Sequence, residues 1–180
     1  MGLLVPLSKI TENQYKELID SIKAKLLNLA AKELNKSPAD LVLREVMPMT
    51  DLGYTTETWD NENALTATTW TTEISHALDN DEYIAFIGVE NQTDDPQVIG
   101  MKFKVGSGGA TTRDIQMLES LYTEDNHKAM FKDPIIYKAN EYVFIQYYAK
   151  ATVAAAGEKI GLIAFIVKPY GEEISGPLPY

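Results

Sequence analysis

Two runs near the C-terminal end limit what this chain can fold into: Tyr142-Val143-Phe144-Ile145-Gln146-Tyr147-Tyr148-Ala149 and Ile160-Gly161-Leu162-Ile163-Ala164-Phe165-Ile166-Val167. Both are rich in β-branched and aromatic residues, and the soft link Ala151–Gly157 between them predicts a β-hairpin. Side chains of a strand alternate between faces. Here both faces are apolar: Tyr142, Phe144 and Tyr148 back onto Val143, Ile145 and Tyr147, and Leu162, Ala164 and Ile166 onto Ile163, Phe165 and Val167. A strand pair that is apolar on both sides has to be covered on both sides. Tyr83-Ile84-Ala85-Phe86-Ile87-Gly88-Val89 has the same character. The expectation is more oily strand surface than one 180-residue body hides, with copies or companions covering the remainder.

One strong helix precedes the strands. Thr11 with Gln14 forms a capping box, and Ile10 with Tyr15 a hydrophobic staple. From there Tyr15, Leu18, Ile19, Ile22, Leu26, Leu29, Ala30 and Leu34 make one apolar stripe. Lys16, Asp20, Lys23, Lys32 and Lys36 form the opposite face, which reads as solvated surface. Ser37-Pro38-Ala39-Asp40 starts a second short element through Leu41–Met47, broken at Pro48. Residues 1–48 are therefore read as a helical arm, and 49–180 as a β-sandwich domain with an extended tail.

Within the second part, threonine and tryptophan dominate up to Thr72. A loop is expected over Asp51–Asn63 and a strand near Leu65–Ile74. Further strands fall at Tyr83–Val89, Val98–Val105 and Ile135–Tyr137. Ile115, Leu118, Leu121 and Tyr122 fit a helix starting near Thr112, with a strand as the alternative, and His127–Asp133 reads as loop. Turn-separated strands with long crossovers predict a mainly β fold: an antiparallel β-sandwich of jelly-roll or Greek-key type with an N-terminal amphipathic α-helix.

Charge narrows the partners. The net charge is −10, made of +1 over residues 1–48 (seven Lys/Arg, six Asp/Glu) and −11 over 49–180 (nine against twenty). An acidic body repels phosphate backbones, so nucleic acid is a disfavoured partner. With no cysteine, disulfides, thiol nucleophiles and thiolate metal sites do not arise. No apolar run is long enough to span a bilayer, and the start lacks the basic n-region of a secretory signal.

No stretch carries a catalytic signature. Gly106-Ser107-Gly108-Gly109 lacks the Gly-Lys-Ser/Thr ending of a P-loop and the spacing of a dinucleotide fingerprint. Glu73 and His76 have no second histidine nearby for a metal, and Asp79/Asp81 and Asp94/Asp95 lack the alternating ligands of an EF-hand. No catalytic, cofactor or metal residue is assigned, and a non-enzyme is expected. Interface candidates are Tyr15, Leu18, Ile22, Trp59, Trp70, Tyr142, Phe144, Tyr148, Phe165 and Tyr180. The tail Gly171–Tyr180 is expected to order only by docking onto the body or a neighbour.

With a helical arm at Thr11–Leu34, strands from Leu65 to Val167 and a Pro-containing tail, the chain resembles the single jelly-roll structural proteins of icosahedral viruses and phages. The resemblance implies a capsid, spike or accessory virion subunit that binds copies of itself, located in the virion, with the cytoplasm as the alternative. The arm departs from that pattern: arms that hold genome are strongly basic, and this one is nearly neutral, which favours a role between subunits. The other reading is a carbohydrate- or ligand-binding module that uses Trp59, Trp70 or the tyrosine-rich strand as a stacking platform.

Overall fold

The structure, a computed structural model, describes residues 4–123 and 127–171. Nine strands form in the order β1 (Leu4–Pro6), β2 (Leu41–Glu45), β3 (Trp70–Ala77), β4 (Tyr83–Asn91), β5 (Val98–Val105), β6 (Thr111–Met117), β7 (Lys128–Tyr137), β8 (Tyr142–Ala149) and β9 (Ile160–Pro169). Helix α1 spans Glu12–Leu34 and α2 spans Pro48–Leu52. One sheet has the order β1-β7-β4-β9-β2 and the other β3-β8-β5-β6, with every pairing antiparallel.

Four of these pairings belong to a single rolled ribbon. β5 pairs with β6, β4 with β7, β3 with β8 and β2 with β9, so the chain runs out and returns along itself before curling into two sheets. This is the winding of a jelly roll, with β1 added at one edge. It corrects the expected hairpin. β8 and β9 lie in different sheets, and residues 150–159 cross between them rather than turning tightly. The crossing is pinned by buried Asn61 and Glu158. The Asn61 Nδ2 donates to the Ala154 carbonyl at 2.9 Å, and the Glu158 amide donates to Asn61 Oδ1 at 2.7 Å.

Helix α1 starts as its capping box requires, the Thr11 hydroxyl accepting from the Gln14 amide, and ends at Asn35 in the left-handed region (φ 54°). Its stripe of Ile19, Ile22, Leu26, Ala30 and Ala31 packs on Tyr83, Ala85, Ile87, Met130, Phe165 and Val167 of the five-stranded sheet. The opposite side of that sheet, with Ile84, Phe86, Val89, Leu162 and Ile166, meets Met101, Phe103, Ile145 and Tyr147 of the four-stranded sheet. Three layers result: helix, sheet, sheet.

The middle layer removes the expected surplus of oily strand at β4 and β9. β4 and β9 are adjacent, so one helix covers both on one side while the partner sheet covers both on the other. From Tyr83 to Val89 every residue is buried within the single chain. Ile22 (5 % exposed) and Phe165 (3 %), expected at contacts between copies, lie inside this helix–sheet layer instead. Nor is 1–48 a separate arm, because β1 and β2 are strands of the sheet that α1 packs on. β7 occupies the expected loop His127–Asp133 from Lys128 onward, and Thr111–Met117 is a strand followed by a short 3-10 turn at Glu119–Thr123.

Candidate functional site

Among the described residues no helix covers the outer side of the four-stranded sheet. Along β8 burial alternates: Val143, Ile145, Tyr147 and Ala149 are buried, while Tyr142, Phe144, Gln146 and Tyr148 are half-exposed. Register builds three rows across this face. Trp70, Tyr148, Gly100 and Met117 form one, Thr72, Gln146, Lys102 and Ile115 the next, and Ser75, Phe144, Lys104 and Thr112 the third. Tyr142, opposite Ala77, lies beyond them.

The first row is an aromatic platform. The Trp70 and Tyr148 rings lie 5.2 Å apart, tilted by 48°. Gly100 makes room for them: a Cβ there would stand 3.2 Å from the Trp70 ring and 3.4 Å from Tyr148 Cβ. Lys102 Nζ sits 4.0 Å over the Trp70 ring centre, and Lys104 Nζ 5.4 Å over Phe144. Desolvation beside the sheet, and then the charge of Lys104, push the Lys102 ammonium below its ordinary range. The turn at Ser107–Gly109 closes over Phe144, where a Cβ on Gly109 (φ +66°) would stand 2.6 Å from the ring.

Trp70, Tyr142, Phe144 and Tyr148 are thus brought together. Tyr15 and Trp59 are not part of this face. They border a cleft beside the start of α1, of about 200 Å³, shared with Glu90, Leu162 and Ile163, and Trp59 also lines an adjoining cavity of about 300 Å³. Leu18 packs half-buried with the helix–sheet layer, and Tyr180 lies outside the described residues. The two lysines were not singled out from the sequence. Their signal is the alternation Met101-Lys102-Phe103-Lys104, with Met101 and Phe103 fully buried and the lysines outward.

Two acidic groups are structural. Asp51 is chelated by Arg44 at 2.6 and 2.8 Å and lies 3.2 Å from Lys168, which also meets Glu82 at 2.6 Å. Burial alone would raise the Asp51 carboxyl; Arg44, the Met47 amide and Lys168 outweigh it and hold it below its usual range. Glu73 behaves oppositely. Buried beside Tyr54 and Tyr147 at a β-bulge, it is pushed up to about 7 by desolvation, against the amides of Glu62 and Asn63 that donate to it. It anchors the loop that carries Trp59. Among the described residues no group of three or more His, Asp or Glu is placed to hold a metal, and no helix is long and apolar enough to cross a membrane.

Comparison with known proteins returns no match among family models, curated proteins or solved structures.

Proposed function

We propose that the chain is a structural subunit of a protein assembly of the virion or capsid class, associating with further subunits through the open face of the four-stranded sheet. One observation carries this reading. The chain covers the back of one sheet with its own helix and leaves on the outer face of the other Trp70, Tyr148, Phe144 and Tyr142, half-exposed and flanked by lysines. Aromatic residues on a polar-rimmed face are what protein interfaces are enriched in. The jelly-roll winding suits the reading without selecting it, since lectin and cupin domains share it with capsid proteins.

Light scattering on the purified chain tests the proposal. The expected result is an oligomer that Trp70→Ala with Tyr148→Ala dissociates while the far-ultraviolet circular dichroism stays that of a β protein. A monomer at every concentration would end this reading. The Trp70–Tyr148 pair also suits a second one, a carbohydrate-binding module in which the rings stack on a sugar. A glycan array distinguishes the two, because only the sugar reading expects binding that Trp70→Ala abolishes.

A further inference from the structure

We propose that two copies of this chain pack their open sheet faces together about a two-fold axis passing near Gly100, so that Lys102 and Lys104 of each copy face Asp94 and Asp95 of the other. The inference rests on the structural-subunit reading and adds to it the occupant of the face and the symmetry of the contact.

Opposite charges lie at opposite ends of one strand. Asp94 and Asp95 occupy the turn that leads into β5, both exposed, with the Asp95 side chain 88 % accessible. Their place at the rim of the open face follows from Lys150. Its amide donates to the Gln97 carbonyl, it directly follows outward Tyr148 and inward Ala149 on β8, and its Nζ lies 3.9 Å from Asp95. That contact is loose and exposed on both sides, so it leaves the acidic doublet available. Further along β5 stand Lys102 and Lys104, held over aromatic rings with no carboxylate among the described residues within salt-bridge distance. Of the charges nearby, Arg113 and Glu141 pair with each other at 2.8 Å, and Asp114 accepts from the Ile115 amide and from Gln116.

A face with its acidic doublet at one end, beside the single Lys150, and Lys102 and Lys104 towards the other is complementary to itself when turned through 180°. Such a pairing sets each lysine pair against the partner's doublet and brings the two Trp70–Tyr148 platforms together at the axis, where Gly100 lets the rings lie low on the sheet. The rest of the body, with −11 over residues 49–180, offers copies mostly like charge. An ammonium on an aromatic floor, as at Lys102 over Trp70, gains most from carboxylates that arrive with a partner.

The test is charge reversal read by light scattering. The chain of 20.0 kDa is expected to run at twice that mass and to dissociate as salt rises from roughly 0.05 to roughly 0.5 M. Lys102→Glu with Lys104→Glu should weaken the dimer at least tenfold, and so should Asp94→Lys with Asp95→Lys. An equimolar mixture of the two double variants should form heterodimers, a result that also shows both to be folded, and all four changes in one chain should restore the homodimer. An oligomer indifferent to these reversals would overturn the proposed contact and leave the structural-subunit reading standing. A monomer throughout would overturn both, and a monomer that binds glycans through Trp70 would assign the face to sugar.

Discussion

The two sheets of this sandwich meet the same core and differ in what lies behind them. The five-stranded sheet is backed by α1, and its central strand β4 is buried without a break from Tyr83 to Val89. The four-stranded sheet is backed by no helix or further sheet among the described residues, only by the turn at Ser107–Gly109 over Phe144, and its strand β8 alternates buried and half-exposed positions along its whole length. Two strands that look equally greasy in sequence therefore do different work. In β4 both faces supply cohesion, one towards the helix and one towards the other sheet. In β8 only Val143, Ile145, Tyr147 and Ala149 do so, while Tyr142, Phe144 and Tyr148 stay half-exposed on the outer side.

The sharpest way to break this comparison is to damage the cover of the first sheet. Leu26, fully buried between helix and sheet, becomes a cavity when replaced by alanine, and unfolding by denaturant should show a loss of about 2–5 kcal/mol. A loss under about 1 kcal/mol would mean that α1 is not a packed layer.

Next in size is an effect of pH on the seam between the sheets. The folded chain holds the Glu73 proton up to about 7, whereas the ordinary value is 4.5. Between these values the folded state binds more protons than the unfolded one, so stability falls as pH rises. The contribution is fully present below pH 4.5 and lost above 7, about 3 kcal/mol in all. Glu73→Gln should flatten this decline, leaving the variant more stable than the parent above pH 7. Parallel curves for the two proteins would refute the assignment.

The smallest effect belongs to the open face. Lys102→Met keeps the stem over Trp70 and removes the charge, and folding stability should fall by about 0.5–1 kcal/mol. A cost as large as that of Leu26→Ala would show that the open face is structural rather than free to associate.

Several elements were legible in the chain itself because their signals are local. Thr11 and Gln14 specify the start of α1, and the spacing of Ile19, Ile22, Leu26 and Ala30 specifies which side of it is buried. Strand-forming composition and turn residues mark β4, β5, β8 and β9, and with them the mainly β sandwich. The readings that failed are those that depend on partners distant in sequence. Lys128–Asp133 looked like loop because what makes it strand is the ladder to Val5 and Gly88, and Thr111–Met117 becomes strand by pairing with β5.

By itself, then, the sequence determined that β4, β8 and β9 are strands with two apolar faces and that one amphipathic helix precedes them. Only the tertiary structure decided how those faces are shared out. β9 pairs with β4 and β2 rather than with β8, which puts β4 and β9 side by side under a single helix and leaves β8 in the uncovered sheet. The physical reason is that apolar burial is non-directional. Periodicity tells which side chains must leave water, and the pairing of strands far apart in the chain decides what they leave it for.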